Sequence, residues 1–192
     1  NFSATKRADR YDCAALTIDA LPYAQDRIVF SCGGAQTLTT HGEIWTIRAA
    51  DARAGVERDR DKGWIAKAET GAFAANSGRE RISIERALVN IAPAALGSPA
   101  LQGSLRGFGI AAAQFDVERI DAAFTLAPED AGGMRKLSID GVDIVGEGAK
   151  ISGSGALFLR DGAPATGRID ADIERPAGLA RAFEKARMID AE

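Results

Sequence analysis

Apolar and polar residues alternate along most of this chain, most regularly near its C-terminus. Residues 167–174 read GRIDADIE, in which Gly, Ile, Ala and Ile hold every second position and charged residues hold all the others. A strand turns successive side chains to opposite faces, so the pattern predicts one apolar and one polar face. Residues 154–160 predict a neighbouring strand, and the Asp-Gly-Ala-Pro sequence after Arg160 predicts the turn between them. A short helix is predicted from Pro176, with Leu179 and Phe183 in a partial apolar stripe.

Similar short alternating segments recur at intervals of roughly ten residues, separated by turn residues. They predict strands at 14–21, 27–31, 36–40, 43–49, 64–75, 79–90, 101–111 and 115–127. In residues 79–90, Ile82, Ile84 and Leu88 are predicted to share a face. Residues 1–10 are interpreted as a frayed start or the tail of a helix, and 57–63 as a charged loop. Residues 93–99 form a break in which Ala and Leu favour a short helical turn.

This spacing predicts a mainly β, antiparallel fold. We expect a strongly curved meander sheet, either an open groove or a half-barrel or sandwich, followed by the short C-terminal helix. Residues 1–192 are expected to form a single domain, with 91–100 as the one candidate sub-boundary.

Composition narrows the functional classes. Hydrophobic residues make up 46% of the chain but aromatic residues only 6%, which favours thin, closely spaced layers rich in Ala and Gly. The net charge of −3 comes from 24 basic and 27 acidic residues that are finely mixed, so no basic face predicts nucleic-acid binding. No apolar run approaches the roughly 20 residues that span a bilayer. Because the sequence starts at Asn1 rather than Met, the chain is expected to be processed or trimmed, and any signal peptide or membrane anchor would have been removed.

Cys13 and Cys32, the two cysteines, lie in two neighbouring predicted strands joined through the turn at Leu21-Pro22-Tyr23. Hairpin partners bring Cβ atoms within reach of a disulfide. We therefore predict a Cys13–Cys32 bond and an oxidising compartment, with two unrelated buried thiols as the alternative.

No motif supports catalysis, metal binding or a cofactor. His41 is the only histidine and is interpreted as a turn residue. In residues 57–63 the acidic side chains alternate with Arg and Lys, unlike a calcium loop. The glycines of 146–148 and 153–155 lie between predicted strands rather than before a helix, so they favour bulges or close strand packing over a phosphate loop. Accordingly we predict no catalytic, metal-binding or cofactor-binding residues and no enzymatic activity.

The remaining candidate is the apolar face itself. It has two interpretations: an ordinary core covered by a second layer, or an open groove that shelters a lipid chain. The residues expected to line it are Phe124, Leu126, Leu157, Leu159, Ile169 and Ile173.

Two segments resemble a known family. Residues 151–159, ISGSGALFL, then 161–169, DGAPATGRI, and a short helix are similar to the closing unit of AsmA-like and TamB-like envelope proteins. The closest similarity is to the proteobacterial family called domain of unknown function 2125, whose opening also resembles the Cys13 to Cys32 segment. Here Ala20-Leu21 replaces the usual Gly before Pro-Tyr. The resemblance implies an N-terminal membrane anchor, a periplasmic location and a long curled sheet with a hydrophobic interior.

Together these observations predict a non-enzymatic periplasmic β-domain that binds or shields lipid or another apolar group. It would be associated with the inner membrane through a segment outside this chain. The alternative is a structural or accessory subunit of a larger envelope complex, whose apolar face meets protein. A hydrolase or metal enzyme is the third class, and it would need a polar pocket with convergent carboxylates.

Overall fold

The predicted mainly β fold with one short C-terminal helix is confirmed. The computed structural model describes residues 2–6, 9–21, 24–40, 43–78, 80–112, 115–160 and 163–185. Its strands are β1 Phe2–Lys6, β2 Asp9–Leu21, β3 Ala24–Thr40, β4 Glu43–Ala49, β5 Arg53–Asp59, β6 Gly63–Thr70, β7 Phe73–Asn76, β8 Arg81–Pro93, β9 Leu101–Ala112, β10 Phe115–Leu126, β11 Met134–Gly146, β12 Ala149–Arg160 and β13 Thr166–Glu174. Helix α1 is Pro176–Lys185.

All thirteen strands belong to one strongly curved antiparallel sheet. β4 and β5 pair end to end along β3, and β6 and β7 do the same along β8. Each of these two pairs therefore acts as one long interrupted strand, and the whole chain is an up-and-down meander. β8 pairs with β9 from Ile82 to Pro93, so the sheet continues across residues 91–100.

Three local predictions were wrong. Residues 2–6 form β1, which pairs with β2, because Phe2 and Ala4 continue the alternation that the flanking charges obscure. Residues 27–31 and 36–40 belong to one strand, β3, because Gly34 takes a positive φ of 77° and lets the strand continue through a bulge. Residues 94–100 contain no helix; the N–H of Ala94 instead donates to the carbonyl of Ala100 and closes a loop.

A line of backbone irregularities, which we call the crease, crosses the sheet. It passes through the bend at Asp51 (φ 54°), the bend at Gly71, and Gly109 (φ 57°), and it reaches the register shift between Val117 and Arg119. Bulges bend strands and increase their twist, so aligned irregularities concentrate curvature along one line. The irregularities of the crease also shift by one residue the alternation of side chains between the two faces of a strand. Leu88 therefore faces away from Ile84, which corrects the predicted grouping of Ile82, Ile84 and Leu88.

The sheet is a single layer. The chain exposes 12947 Å², whereas a compact protein of 20.1 kDa exposes about 8,700 Å². Helix α1 covers little of it: Gly178 approaches the carbonyl of Glu147, so the main contact of the helix is with the β11–β12 end of the sheet. No second layer exists among the described residues, so one broad face of the sheet remains open.

The predicted charged loop at 57–63 is a solvated hairpin turn between β5 and β6. β5 runs to Asp59, whose carboxylate accepts hydrogen bonds from the backbone N–H of Asp61 (2.9 Å) and Lys62 (3.0 Å). The Asp61 and Lys62 N–H groups lower the pKa of Asp59 below its ordinary value. These bonds give the charged residues a structural role in the turn.

Glycine is required where β12 and β13 approach each other. A Cβ on Gly155 would overlap the carbonyl oxygen of Arg168, whereas one on Gly141 of β11 would have no neighbour within 4 Å. We expect Gly155→Ala to lower the free energy of unfolding by about 1–3 kcal/mol, because the backbone of β13 must shift. Gly141→Ala is the matched control and should change it by less than about 1 kcal/mol. Urea denaturation compares the two, and equal stabilities would show that the approach is not tight.

Candidate apolar binding face

Strand register aligns the apolar residues of successive strands into rows. Directly paired residues of an antiparallel sheet point to the same face, so each row can be followed from strand to strand. One row consists of Ile18, Phe30, Ala54, Ala68, Val89, Leu105, Ala122, Val142, Gly153 and Ala171. The next consists of Ala20, Ile28, Val56, Ala66, Ile91, Gly103, Phe124, Ile139, Gly155 and Ile169. Neither row contains a polar side chain, and we call the surface they form the apolar face.

The opposite face, which we call the polar face, carries charges at the intervening positions. One of its rows is Thr17, Ser31, Arg53, Glu69, Leu88, Arg106, Asp121, Asp143, Ser152 and Asp172. Arg106 binds Asp121 across β9 and β10 at 2.6 Å. The Ser152 hydroxyl donates to Asp143 at 2.5 Å and, with the charge of Lys150, lowers the pKa of that carboxyl. Water can therefore solvate the charged side chains of the polar face, whereas the side chains of the apolar face need an apolar partner to cover them.

A cavity of about 530 Å³ opens on the apolar face in the N-terminal half of the sheet. Most of its lining is apolar, and Ile18, Phe30, Phe73 and Val89 project into it from four different strands. Cavities of about 650 and 770 Å³ lie elsewhere and have more polar linings, with charged residues such as Arg27, Lys67 and Glu118, while Arg53 and Glu69 are the charged residues beside the smaller cavity. The smaller cavity is the one suited to an apolar ligand, and its volume lies within the usual range of small-molecule sites.

A short buried row closes one end of the cavity. It consists of Cys13, Gln36, Ile47 and Ala75, each no more than 7% exposed. Cys13 and Cys32 both line the cavity and form a disulfide with a Cα–Cα distance of 6.2 Å, so the predicted bond is confirmed. The bond ties β2 to β3 where the strands are out of register, and so holds the cavity wall in place.

Gln36 is the buried polar residue of this row. Its amide oxygen accepts a hydrogen bond from the Tyr11 hydroxyl at 2.9 Å, and its amide nitrogen donates to the Cys32 carbonyl at 3.5 Å. Burial raises the pKa of Tyr11. Both polar groups of the amide are therefore bonded, which compensates for placing Gln36 beside an apolar cavity.

Tyr11→Phe is expected to lower the free energy of unfolding by about 1–2 kcal/mol, because the buried Gln36 oxygen loses its donor. The wild type should also lose stability as pH rises through about 10 and above, since a raised folded-state pKa favours the neutral hydroxyl. Chemical denaturation across pH 7–11 checks both effects. An unchanged alkaline profile in Tyr11→Phe would contradict the role assigned to the hydroxyl, and Gln36→Leu in the Tyr11→Phe background should restore stability.

The six residues predicted to line a groove all lie on the apolar face. Phe124 and Ile169 share a row, and Leu126 and Leu157 are joined through Leu137. Leu159 and Ile173 follow by alternation along β12 and β13. Ile169 and Ile173 are each 46% exposed, and the Phe124 ring lies over Gly103. None of the six lines the apolar cavity. The sequence pattern did not predict this cavity, although Leu16 and Ile18, which line it, alternate with polar residues in β2.

The other sequence candidates carry no site. His41 lies outside the described residues. Glu147 and Gly148 form the tight β11–β12 turn, both with positive φ, and Gly153 and Gly155 pack closely against β13, as the strand interpretation predicts. Across the described ranges, no group of three His, Cys, Asp or Glu residues is arranged to hold a metal ion. Among the described helices, none has the length and hydropathy needed to cross a membrane.

Comparison with protein-family models, curated proteins and solved structures found no match to this chain.

Proposed function

We propose that this chain is a non-enzymatic β-domain that binds or shields a lipid chain or a similar apolar group on its apolar face. The observation that carries the proposal is the uncovered single-layer sheet with rows of apolar residues across its width. Soluble monomers seldom expose continuous apolar patches larger than a few hundred Å². Burial of acyl surface would stabilise the complex by about 25 cal/mol per Å² and requires no reactive side chain.

The cavity is the proposed position of an acyl chain. The buried Cys13–Gln36 row lines one part of it, and Ile18 lies at its exposed margin with 57% of its surface accessible. From there the apolar rows continue toward β13, which gives a longer ligand an uninterrupted apolar path.

The disulfide is compatible with an oxidising, extracytoplasmic compartment. We propose the periplasm, with association at the inner membrane, and a role in envelope lipid handling. This proposal agrees with the periplasmic location that the resemblance to AsmA-like proteins implies.

A second candidate is an accessory subunit whose apolar face meets protein in a membrane-associated envelope complex. The part of the apolar face around Ile169 and Ile173 favours this function, since these side chains are half-exposed and lie far along the sheet from the cavity. The two functions predict different results for the purified protein: bound lipid for the first, and a protein that co-purifies with the chain for the second.

Organic extraction of the purified protein, followed by mass spectrometry, tests the primary proposal. We expect recovery of phospholipid or fatty acid at close to one molecule or more per chain, and much less from an unrelated disulfide-bonded protein purified in parallel. Lipid at the level of that control would overturn the proposal. Purification of the chain only together with one protein, and without lipid, would favour the accessory-subunit function.

A further inference from the structure

β13 forms one edge of the sheet. It pairs with β12 alone, and no other strand lies beside it among the described residues. All nine of its residues are exposed. Natural edge strands are usually protected by proline, by bulges or by charged side chains, most effectively Lys or charges that point inward, whereas the charges of β13 are mainly acidic and lie on its polar face. From Thr166 to Glu174 there is no proline, no register shift and no charge on the apolar face.

The helix that follows does not close this edge. After Arg175, which has a positive φ of 56°, the chain turns and Gly178 packs against the carbonyl of Glu147. Helix α1 therefore contacts the β11–β12 end of the sheet. Within the described ranges, no strand or helix pairs with the backbone groups on the outer side of β13, so a further strand could bind there.

The polar face of β13 is acidic. Asp170 and Asp172 pair on the inner side with the uncharged Ser154 and Ser152. The one basic residue of the strand, Arg168, already binds Asp170 at 2.6 Å.

In several register pairs the sheet places a basic residue opposite an acidic one, as in Arg106–Asp121 and Lys150–Glu174 at 2.6 and 3.5 Å, although Asp121 also lies opposite Asp143. A strand added outside β13 would complete the same pattern if it supplied Lys or Arg.

We propose that β13 is a docking edge for an extended segment of a partner protein in which Lys or Arg alternates with aliphatic residues. Backbone hydrogen bonds would join the segment to the sheet, and alternate side chains would select it. Its aliphatic residues would continue the rows that end at Ile169 and Ile173, and its basic residues would face Asp170 and Asp172. The proposal does not depend on whether the apolar face holds lipid.

A second copy of this chain is a less favourable occupant than a basic strand. In the symmetric antiparallel register that joins Ile169 to Ile173, Asp170 would lie opposite Asp172 at two positions and Arg168 opposite Glu174 at two positions. Attractive and repulsive pairs would therefore balance, whereas a basic strand would form attractive pairs with the acidic residues of β13.

The test uses the whole chain and three capped synthetic peptides: alternating lysine and valine, alternating glutamate and valine, and a scrambled lysine–valine peptide of the same charge. We expect the alternating basic peptide to bind at least about tenfold more tightly than either of the others, by calorimetry. Hydrogen exchange should show new protection of β13 amides. Equal binding of the scrambled peptide, protection elsewhere, or no binding would overturn the proposal, as would dimerisation through β13 without peptide.

Charge reversal provides a second, independent measurement. Asp170→Lys with Asp172→Lys should invert the preference toward the acidic peptide, since both side chains are exposed and face the added strand. The matched control is Asp116→Lys with Glu118→Lys on β10, an interior strand, which makes the same change in net charge and should leave the preference unchanged. Inversion in both variants would show that net charge alone governs binding, which would contradict the edge as the docking site.

Discussion

Replacing both Cys13 and Cys32 with alanine is expected to lower the free energy of unfolding by about 3 kcal/mol. The bond closes a loop between residues 19 positions apart, and loops of this size give about that stabilisation in the chain-entropy model. The effect should be large relative to total stability, because the single-layer sheet buries few side chains beyond the row around Cys13. Urea denaturation should show a midpoint lower by about 1–2 M.

The reduced wild-type protein is the control for this substitution. It should lose stability to a similar extent, because reduction breaks the same disulfide bond while both residues remain cysteine. A double variant as stable as the oxidised protein would contradict the structural role of the bond, and so would a reduced protein of unchanged stability.

Ile18→Lys is expected to weaken binding of a fluorescent long-chain fatty-acid analogue by roughly tenfold to a hundredfold. Ile18 is 57% exposed at the margin of the cavity, so the substitution should be tolerated by the fold. It removes apolar contact worth about 1.5–3 kcal/mol and places an ammonium group beside the ligand. Fluorescence titration measures the change.

Ile44→Lys is the matched control, because Ile44 is 64% exposed and lies on the polar face of β4. This variant makes the same chemical change in the same half of the sheet and should bind the analogue like the wild type. Equal loss in both variants would show that added charge, rather than the apolar face, determines binding.

The sheet was predictable because apolar and polar residues alternate strongly along its strands. In residues 167–174 and 120–126, every Ile, Phe and Leu falls on the apolar face. The bulges were harder to predict, since a shift of one residue leaves the composition of a segment unchanged. Leu88 shows the consequence: it has the spacing of Ile82 and Ile84 but lies beyond the crease, on the polar face.

The site was only partly predictable for a related reason. The predicted residues Phe124, Leu157 and Ile169 come from hairpins close together in sequence, where alternation alone establishes a shared face. The cavity joins Ile18 and Val89, which are far apart in the chain and become neighbours only through the curvature of the sheet. Curvature depends on where irregularities align across strands, and no short segment contains that information.

Photocrosslinking from the two faces of one strand tests the central claim most directly. Val89 and Asn90 are adjacent in β8, with Val89 in an apolar row and Asn90 on the polar face. Each is replaced in turn by benzoyl-phenylalanine, the protein is irradiated in the cells that produce it, and the adducts are identified by mass spectrometry. We predict lipid adducts at position 89 and none at position 90. Lipid adducts at both positions, or adducts at 89 that contain only protein, would contradict a lipid-binding apolar face.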